Sequence, residues 1–288
     1  MFETFILRHT AKGNIIGYHW PLPQEKAPAK VICIVHGIGE HGGRYDRVAT
    51  KFNEAGYAVL AMDLRGHGKS LGKRGECAPR NDVLDDISAL LTSAQLKYPG
   101  TPIILYGHSM GGNITLEYRC RGGMNDVPAG YLISAPWIRL VHPIPEPVYW
   151  AVRALSKVMP RFTVGSAVDE KALGNPSSVQ PYTSDPMVHN RISALCAVDG
   201  FETGRALERG KMKDNGRASK IPMLIMHGGD DQICDPQASR VLAARLNKLG
   251  DKIEHIEWPG LYHEIHNGGP ESTGDEVIDR MIQFFDSI

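Results

Sequence analysis

Tyr106-Gly107-His108-Ser109-Met110-Gly111-Gly112 follows directly on the apolar run Ile103-Ile104-Leu105. That run is short, β-branched and bounded by turn residues, which reads as a buried strand. Residues Gly112 to Arg121 then take on helical character, with Ile114, Leu116 and Tyr118 available for packing. A serine with a glycine two residues away on each side, at a strand-to-helix turn, is a nucleophile elbow. Such a turn holds the serine in a strained conformation and brings the flanking backbones close. Residues without a Cβ are therefore expected at Gly107 and Gly111. The following helix aims its free N–H groups at the reacting atom.

The elbow sits within an alternation of strands and helices. Phe5–Leu7 and Ile15–His19 suggest a hairpin through Lys12-Gly13-Asn14, followed by the apolar run Val31–Val35. A helix is expected over Tyr45–Ala55, stopping at Gly56, then a strand over Ala58–Asp63 and a helix over Asn81–Lys97. After the elbow come a strand at Tyr131–Ser134 and, much later, a strand at Ile221–His227. Helix Gln237–Leu249, strand Ile253–Trp258 and helix Glu276–Phe285 complete the series. This pattern predicts an α/β fold, a mostly parallel sheet covered by helices on both faces. Between Ala135 and Ile221 the alternation breaks, with prolines at 136, 143, 145, 147, 160, 176, 181 and 186, short helical stretches and no clear strand. The expected organisation is a core made of 1–135 and 220–288 with a helical cap inserted at 136–219, over the carboxyl ends of the strands where open sheets bind ligands.

The 288 residues and 42% hydrophobic content suffice for one sizeable core. Lys+Arg and Asp+Glu both number 32, which gives no electrostatic footprint for nucleic acid and no long-range attraction to an anionic membrane. The basic residues Arg65, Lys69, Lys73 and Arg74 interleave with glycines and read as a solvated loop. The cysteines, Cys33, Cys77, Cys120, Cys196 and Cys234, are odd in number and far apart, arguing against a disulfide framework or a structural zinc site. Met1 to Arg8 lacks the pattern of a signal peptide, and no run approaches the ~18 apolar residues of a membrane span. The expectation is a soluble, cytoplasmic protein.

A serine nucleophile needs a base, and the base an orienting acid. In this arrangement the acid and the histidine come from loops after the last strands, in that order. Asp230, Asp231 and Asp235 follow the strand ending at His227. Asp235 precedes Pro236 and suits a helix N-cap, while spacing alone leaves Asp230 and Asp231 open. Of the histidines near the last strand, His255 lies inside it and His266 begins the next segment, which leaves His263 as the loop candidate. The pair His263 and His266 has no acidic or thiol partner at metal-ligand spacing, so no metal is expected. The developing oxyanion needs two donors, expected at the backbone N–H of Met110 and of Ile38 in His36-Gly37-Ile38-Gly39.

Three stretches taken together, residues 36–45 (HGIGEHGGRY), 63–70 (DLRGHGKS) and 107–112 (GHSMGG), resemble the monoacylglycerol lipases. So do Ser134-Ala135-Pro136, residues 228–235 (GGDDQICD) and Gly260-Leu261-Tyr262-His263. These lipases are serine hydrolases of the α/β-hydrolase superfamily, which also holds lysophospholipase-like enzymes and some aminopeptidases. The resemblance spans nearly the whole chain and is weaker in the cap. Its Gly-x-x-Asp pattern selects Asp231 as the acid and its Gly-x-x-His pattern selects His263. It also implies substrate contacts at Glu40 and Cys234, and at Tyr182 within Tyr182-Thr183-Ser184-Asp185-Pro186. Beside these stand bland readings, Glu40 as a loop-organising acceptor and Cys234 as a small buried hydrophobe. Asp63 and Arg65 are assigned to loop architecture.

The resemblance implies hydrolysis of a small lipid ester to fatty acid and glycerol through an acyl-enzyme, with no metal or organic cofactor. Rival readings are a lysophospholipase or small-ester esterase, an aminopeptidase using Glu146, Asp169, Glu170 or Glu202 to hold an ammonium, and a non-catalytic ligand receptor. Haloalkane dehalogenases and epoxide hydrolases carry an aspartate where this chain has Ser109. In the cap, Val148, Ala151, Val152, Leu155 and Met159 recur at helical spacing. That face either packs on the core or in part lines an acyl channel and makes transient contact with lipid aggregates.

Overall fold

The computed structural model describes residues 2–23, 26–166, 168–179, 182 and 184–288; Met1, Pro181 and Thr183, named above, lie outside them. The chain opens with a hairpin of β1 (Glu3–Thr10) and β2 (Gly13–Trp20), longer than the expected strands because the half-exposed alternation in β1 hides its ends. Then come β3 (Val31–Val35), α1 (Asp46–Glu54), β4 (Ala58–Met62), α2 (Arg80–Lys97), β5 (Ile103–His108), α3 (Met110–Arg121) and β6 (Gly130–Ser134). The next segment carries α4 (Glu146–Val158), β7 (Thr163–Gly165), β8 (Arg191–Ser193) and α5 (Ala194–Glu208). The chain closes with β9 (Met223–Gly228), α6 (Pro236–Lys248), β10 (Ile253–Trp258) and α7 (Asp275–Asp286).

Eight strands form one sheet in the order β1-β2-β4-β3-β5-β6-β9-β10. The strands from β4 to β10 in this order are parallel, and only β1 and β2 run antiparallel to their neighbours. The parallel strands read as unbroken apolar runs because both faces are covered. In β3, Val31, Cys33 and Val35 face a core shared with α2, α3 and α6, whereas Ile32 and Ile34 face one shared with α1 and α7. The elbow helix α3 is buried from Met110 to Cys120, which explains its weak amphipathic pattern.

The described residues between β6 and β9 add no strand to this sheet. They hold the expected helices and also a strand pair, since β7 and β8 form an antiparallel two-stranded sheet. Each strand is three residues long, too short for an alternation to register. A second correction concerns Arg65. It is buried and paired through Nε with Asp86 (2.5 Å) and through Nη1 with Asp82 (3.0 Å), so it is no part of a solvated loop. Among the described residues no helix is long and apolar enough to cross a membrane.

Candidate active site

Ser109 stands between β5 and α3 with φ at +56°, a region disfavoured for a residue with a Cβ. Its own N–H donates to the Ser134 carbonyl (3.0 Å), and its carbonyl accepts from Trp137 N (3.0 Å). The glycines around it are sterically required. A Cβ at Gly107 would lie 2.3 Å from Thr115 Oγ1, and one at Gly111 would lie 2.1 Å from the Val35 carbonyl oxygen. The elbow therefore wedges α3 against the end of β3.

The loops after β9 and β10 bring two further residues to the serine. Ser109 Oγ lies 2.8 Å from His263 Nε2, and His263 Nδ1 lies 2.7 Å from Asp231 Oδ2. All three side chains are buried, and Asp230, left open by spacing, is exposed. Asp231 Oδ1 accepts from the backbone N–H groups of Ile233 (2.7 Å) and Cys234 (3.0 Å). Burial alone pushes the Asp231 carboxyl up. The charge of His263 and hydrogen bonds from His227 and His263 outweigh it and hold the group well below the usual carboxylate range. Burial likewise lowers His263, but the Asp231 carboxylate, with Glu264 and Glu40 behind it, leaves the imidazole raised above its ordinary value.

Asp235 caps α6, accepting from Gln237 N (2.9 Å), with Pro236 at the first helical position. It also holds Arg139 through Nη2 (2.7 Å). His266 is buried against Tyr45, with ring centroids 5.4 Å apart, and His255 lies within β10. Neither approaches Ser109 as His263 does.

Ile38 follows β3 in the loop that runs beside the elbow, and Met110 opens α3. Gly37 N donates to Glu40 Oε1 (2.6 Å), whose carboxylate also accepts from Tyr45 Oη (3.1 Å) and Arg44 Nη1 (2.7 Å). Glu40 is thus the organiser of this loop. Arg44 in turn grips Glu264 through Nη1 (2.8 Å) and Nη2 (3.2 Å). Burial pushes Glu264 up, but the Arg44 guanidinium reverses this and holds it well below the usual range. Asp63 also shapes the loop, accepting from Gly42 N (2.8 Å), Lys69 N (2.7 Å) and Tyr18 Oη (3.0 Å).

Two spaces meet at Ser109 and Ile38. The larger, about 320 Å³, is apolar and is walled by Trp137, Val152, Leu155, Ile192, Phe201 and Ile233, with Cys234 beside them. The smaller, about 20 Å³, is bounded by Glu40, Tyr182, His263 and Glu264. Tyr182 is buried under the Arg44 guanidinium, 5.0 Å from its ring centroid, and its hydroxyl has no partner among the described residues. Burial raises the Cys234 thiol well above its ordinary value, which leaves it a neutral wall group. Both readings of the Val148–Met159 face meet in α4, since Val148, Val152 and Leu155 line the large cavity from a helix that also packs on α5.

The carboxylates considered for an ammonium are engaged elsewhere. Glu146 pairs with Arg205 (2.6 Å) and Glu202 with Arg153 (2.9 Å). Asp169 accepts from Lys171 N (3.0 Å), and Glu170 from Tyr182 N (3.1 Å). None of the four borders either space. Sequence reasoning missed His227, which donates to Asp231, and the Arg44–Glu264 pair, which joins residues 220 positions apart.

The profile of the Hydrolase_4 family, described as serine aminopeptidase, S33, matches residues 26–269. A monoacylglycerol lipase of Mycolicibacterium smegmatis is 33% identical over 83% of this chain and 83% of its own. An abhydrolase domain-containing protein of Dictyostelium discoideum is 32% identical over 89% of this chain, which spans 26% of that protein's length. In three dimensions the chain is similar to a soluble variant of monoglyceride lipase from Saccharomyces cerevisiae in complex with a substrate analog. The TM-score is 0.81 at 26% identity, covering 97% of this chain and 94% of that one. The chain belongs to the Hydrolase_4 (serine aminopeptidase, S33) family and has the α/β-hydrolase fold.

Proposed function

We propose that this protein is a serine ester hydrolase that cleaves monoacylglycerols to fatty acid and glycerol. The observation that carries the reading is the line from Ser109 Oγ to His263 Nε2 (2.8 Å) and from His263 Nδ1 to Asp231 Oδ2 (2.7 Å), at the junction of the two cavities. Ser109 attacks the acyl carbonyl as His263 takes its proton, and Asp231 fixes the imidazole tautomer and stabilises the imidazolium. The N–H groups of Ile38 and Met110 bind the oxyanion. Glycerol leaves with the proton from His263, and water repeats the sequence on the acyl-enzyme.

The division of space supports this substrate. An apolar cavity of about 320 Å³ suits an acyl chain. The compartment of about 20 Å³ beside Glu40 and Tyr182 has room for about one hydroxyl-sized group, so it can meet the alcohol oxygen of a small ester but disfavours a bulky phospholipid headgroup. The unpartnered Tyr182 hydroxyl is a donor for that alcohol. In this reading residues 136–219 are the cap. Away from the cavity it exposes Trp150, Val158 and Met159, apolar side chains fit for transient contact with lipid aggregates. Five buried, unpaired cysteines favour a reducing compartment such as the cytoplasm.

Monoacylglycerols, diacylglycerols, lysophospholipids and short p-nitrophenyl esters should be compared as substrates, with an aminoacyl-naphthylamide as the peptidase control. Ser109→Ala should stay folded, lose ester turnover by about 10⁶-fold and lose labelling by a fluorophosphonate probe. Near-normal turnover in that variant removes the mechanism.

A further inference from the structure

Asp231 Oδ2 accepts from two imidazoles. One is His263, and the other is His227, whose Nε2 lies 3.0 Å away and also reaches the Cys234 carbonyl (3.1 Å). His227 occupies the last turn of pleat in β9, is fully buried, and lies against α6, where Ser239 Oγ is 2.8 Å from its Nδ1. Both acceptors at Nε2 lack a proton to give, so Nε2 must carry the hydrogen. Nδ1 then accepts from the Ser239 hydroxyl in the neutral ring. A buried imidazole without partners would be costly, and here both nitrogens are satisfied. The Asp231 carboxylate thereby receives four donors, two from backbone and two from imidazoles.

We propose that His227 is a positioning residue for the reaction, acting through Asp231 to set the proton affinity of His263. The proposal rests on the ester-hydrolase reading of the site. A hydrogen bond into Oδ2 takes up part of the carboxylate charge that would otherwise be spent on the His263 imidazolium. It also prevents the carboxylate from rotating away from His263. With the His227 donor present, His263 sheds its proton at a lower pH and is a free base over a wider range. Without it, the bond between Asp231 and the imidazolium strengthens and the base stays protonated longer.

The other titratable or charged groups within reach are His255 on β10, Glu264 after it, His108 at the end of β5, and Glu40 after β3. Cys234 and Asp235 complete the set on the loop before α6. None of them donates a hydrogen bond to Asp231 from its side chain. The effect on the carboxylate is therefore specific to His227 and separable from the general field of the site.

The test titrates His263 by NMR on histidine-labelled protein, in wild type, His227→Met and His227→Gln, beside the pH dependence of kcat/KM for a p-nitrophenyl ester. His227→Met should raise the His263 midpoint and the acid limb by about one pH unit, the scale of a charge-assisted hydrogen bond. It should also lower the plateau of kcat/KM with KM nearly unchanged. His227→Gln keeps an amide donor for Asp231 and an acceptor for Ser239, and should return the midpoint to the wild-type value. If His227→Met does not fold, Ser239→Ala takes its place, with a smaller shift in the same direction. An unchanged midpoint in the folded variant, with only a lower melting temperature, overturns the proposal and leaves His227 as packing. The NMR midpoint is read without turnover, so a wild-type protein that hydrolyses no ester defeats the functional reading while this test still gives its answer.

Discussion

The N–H of His189 donates to the Gly39 carbonyl across 2.8 Å, so a residue between β6 and β9 is bonded directly to the loop that carries Ile38. A second tie lies alongside, from His41 Nε2 to Asp185 Oδ2 at 2.8 Å. His41 Nδ1 meanwhile accepts from Gly43 N (3.1 Å), which leaves Nε2 as the donor to the carboxylate. The position of the proposed oxyanion donor is thus set partly by the sheet and partly by the segment above it. Substrate entry that moves this segment would also strain the loop.

Asp185→Ala removes the side-chain tie and leaves the backbone one. The expected outcome is a fall of several-fold in kcat/KM for esters and a small drop in melting temperature, with fluorophosphonate labelling of Ser109 retained. Loss of labelling would mean that the tie holds the whole elbow and not the loop alone.

The two neighbouring aspartates should separate sharply. Asp231→Asn presents an amide to His263 Nδ1 and selects the wrong tautomer, a change worth about 10⁴ in kcat in a comparable triad. Asp230 is exposed and has no side-chain bond to the site, so Asp230→Asn should stay within a few-fold of wild type. Reversed results would move the proposed acid by one residue.

The acid sensitivity of activity and of stability have different origins. Burial opposes the charge on His263, but the Asp231 carboxylate keeps its pKa raised, so kcat/KM should decline as pH falls through a midpoint above 6.5. Burial, aided by His189, holds His67 down to about 3; burial, aided by Arg44 and Arg47, holds His266 down to about 4. For these two the unfolded chain binds more protons below about pH 6.5. Their contribution to stability is complete above that pH and is lost as pH falls toward 4. His263 works in the opposite sense, its contribution being present below its unfolded value and lost as pH rises through its folded one. Thermal melts should show a falling midpoint from pH 6.5 to 4, shallower in His266→Gln. A midpoint flat across that range counts against the assignment.

What could be read in the chain was what short-range stereochemistry dictates. Gly107 and Gly111 must lack a Cβ because neighbouring backbone oxygens lie within 2.5 Å of where one would stand, and such glycines between an apolar strand and a helix single out Ser109. His263 follows a strand end at an ordinary loop spacing. The choice between Asp230 and Asp231 was invisible to spacing, because it depends on which carboxylate the loop turns inward; the family pattern supplied it. His227 looked like one more residue at the end of a buried strand, and its bond to Asp231 exists only once that loop folds back. Arg65 sat among glycines and lysines and read as solvated, while its partners Asp82 and Asp86 lie on α2, beyond the reach of local pattern.

Helix α4, in the proposed cap, offers the sharpest test of substrate choice. Val152 and Leu155 face the large cavity that Ser109 borders, while on the same helix Val158 is 81% exposed and Trp150 54%. A carboxylate at 152 or 155 would enter an apolar space that an acyl chain is proposed to fill, at a cost that depends on how far that chain extends. Val152→Asp and Leu155→Asp should each reduce kcat/KM on a long-chain monoacylglycerol by about 10-fold or more, since one to three kcal/mol of apolar contact is at stake. On p-nitrophenyl acetate, whose acyl group ends close to Ser109, both should stay near wild type. Equal losses on the two substrates, together with a lowered melting temperature, would show that the face serves packing on α5 and that the acyl chain runs elsewhere. The exposed residues give the matching control, because Val158→Asp leaves the cavity wall intact. Its loss should appear only with substrate presented in lipid aggregates and should be little changed by salt, as apolar burial and not charge would drive the contact.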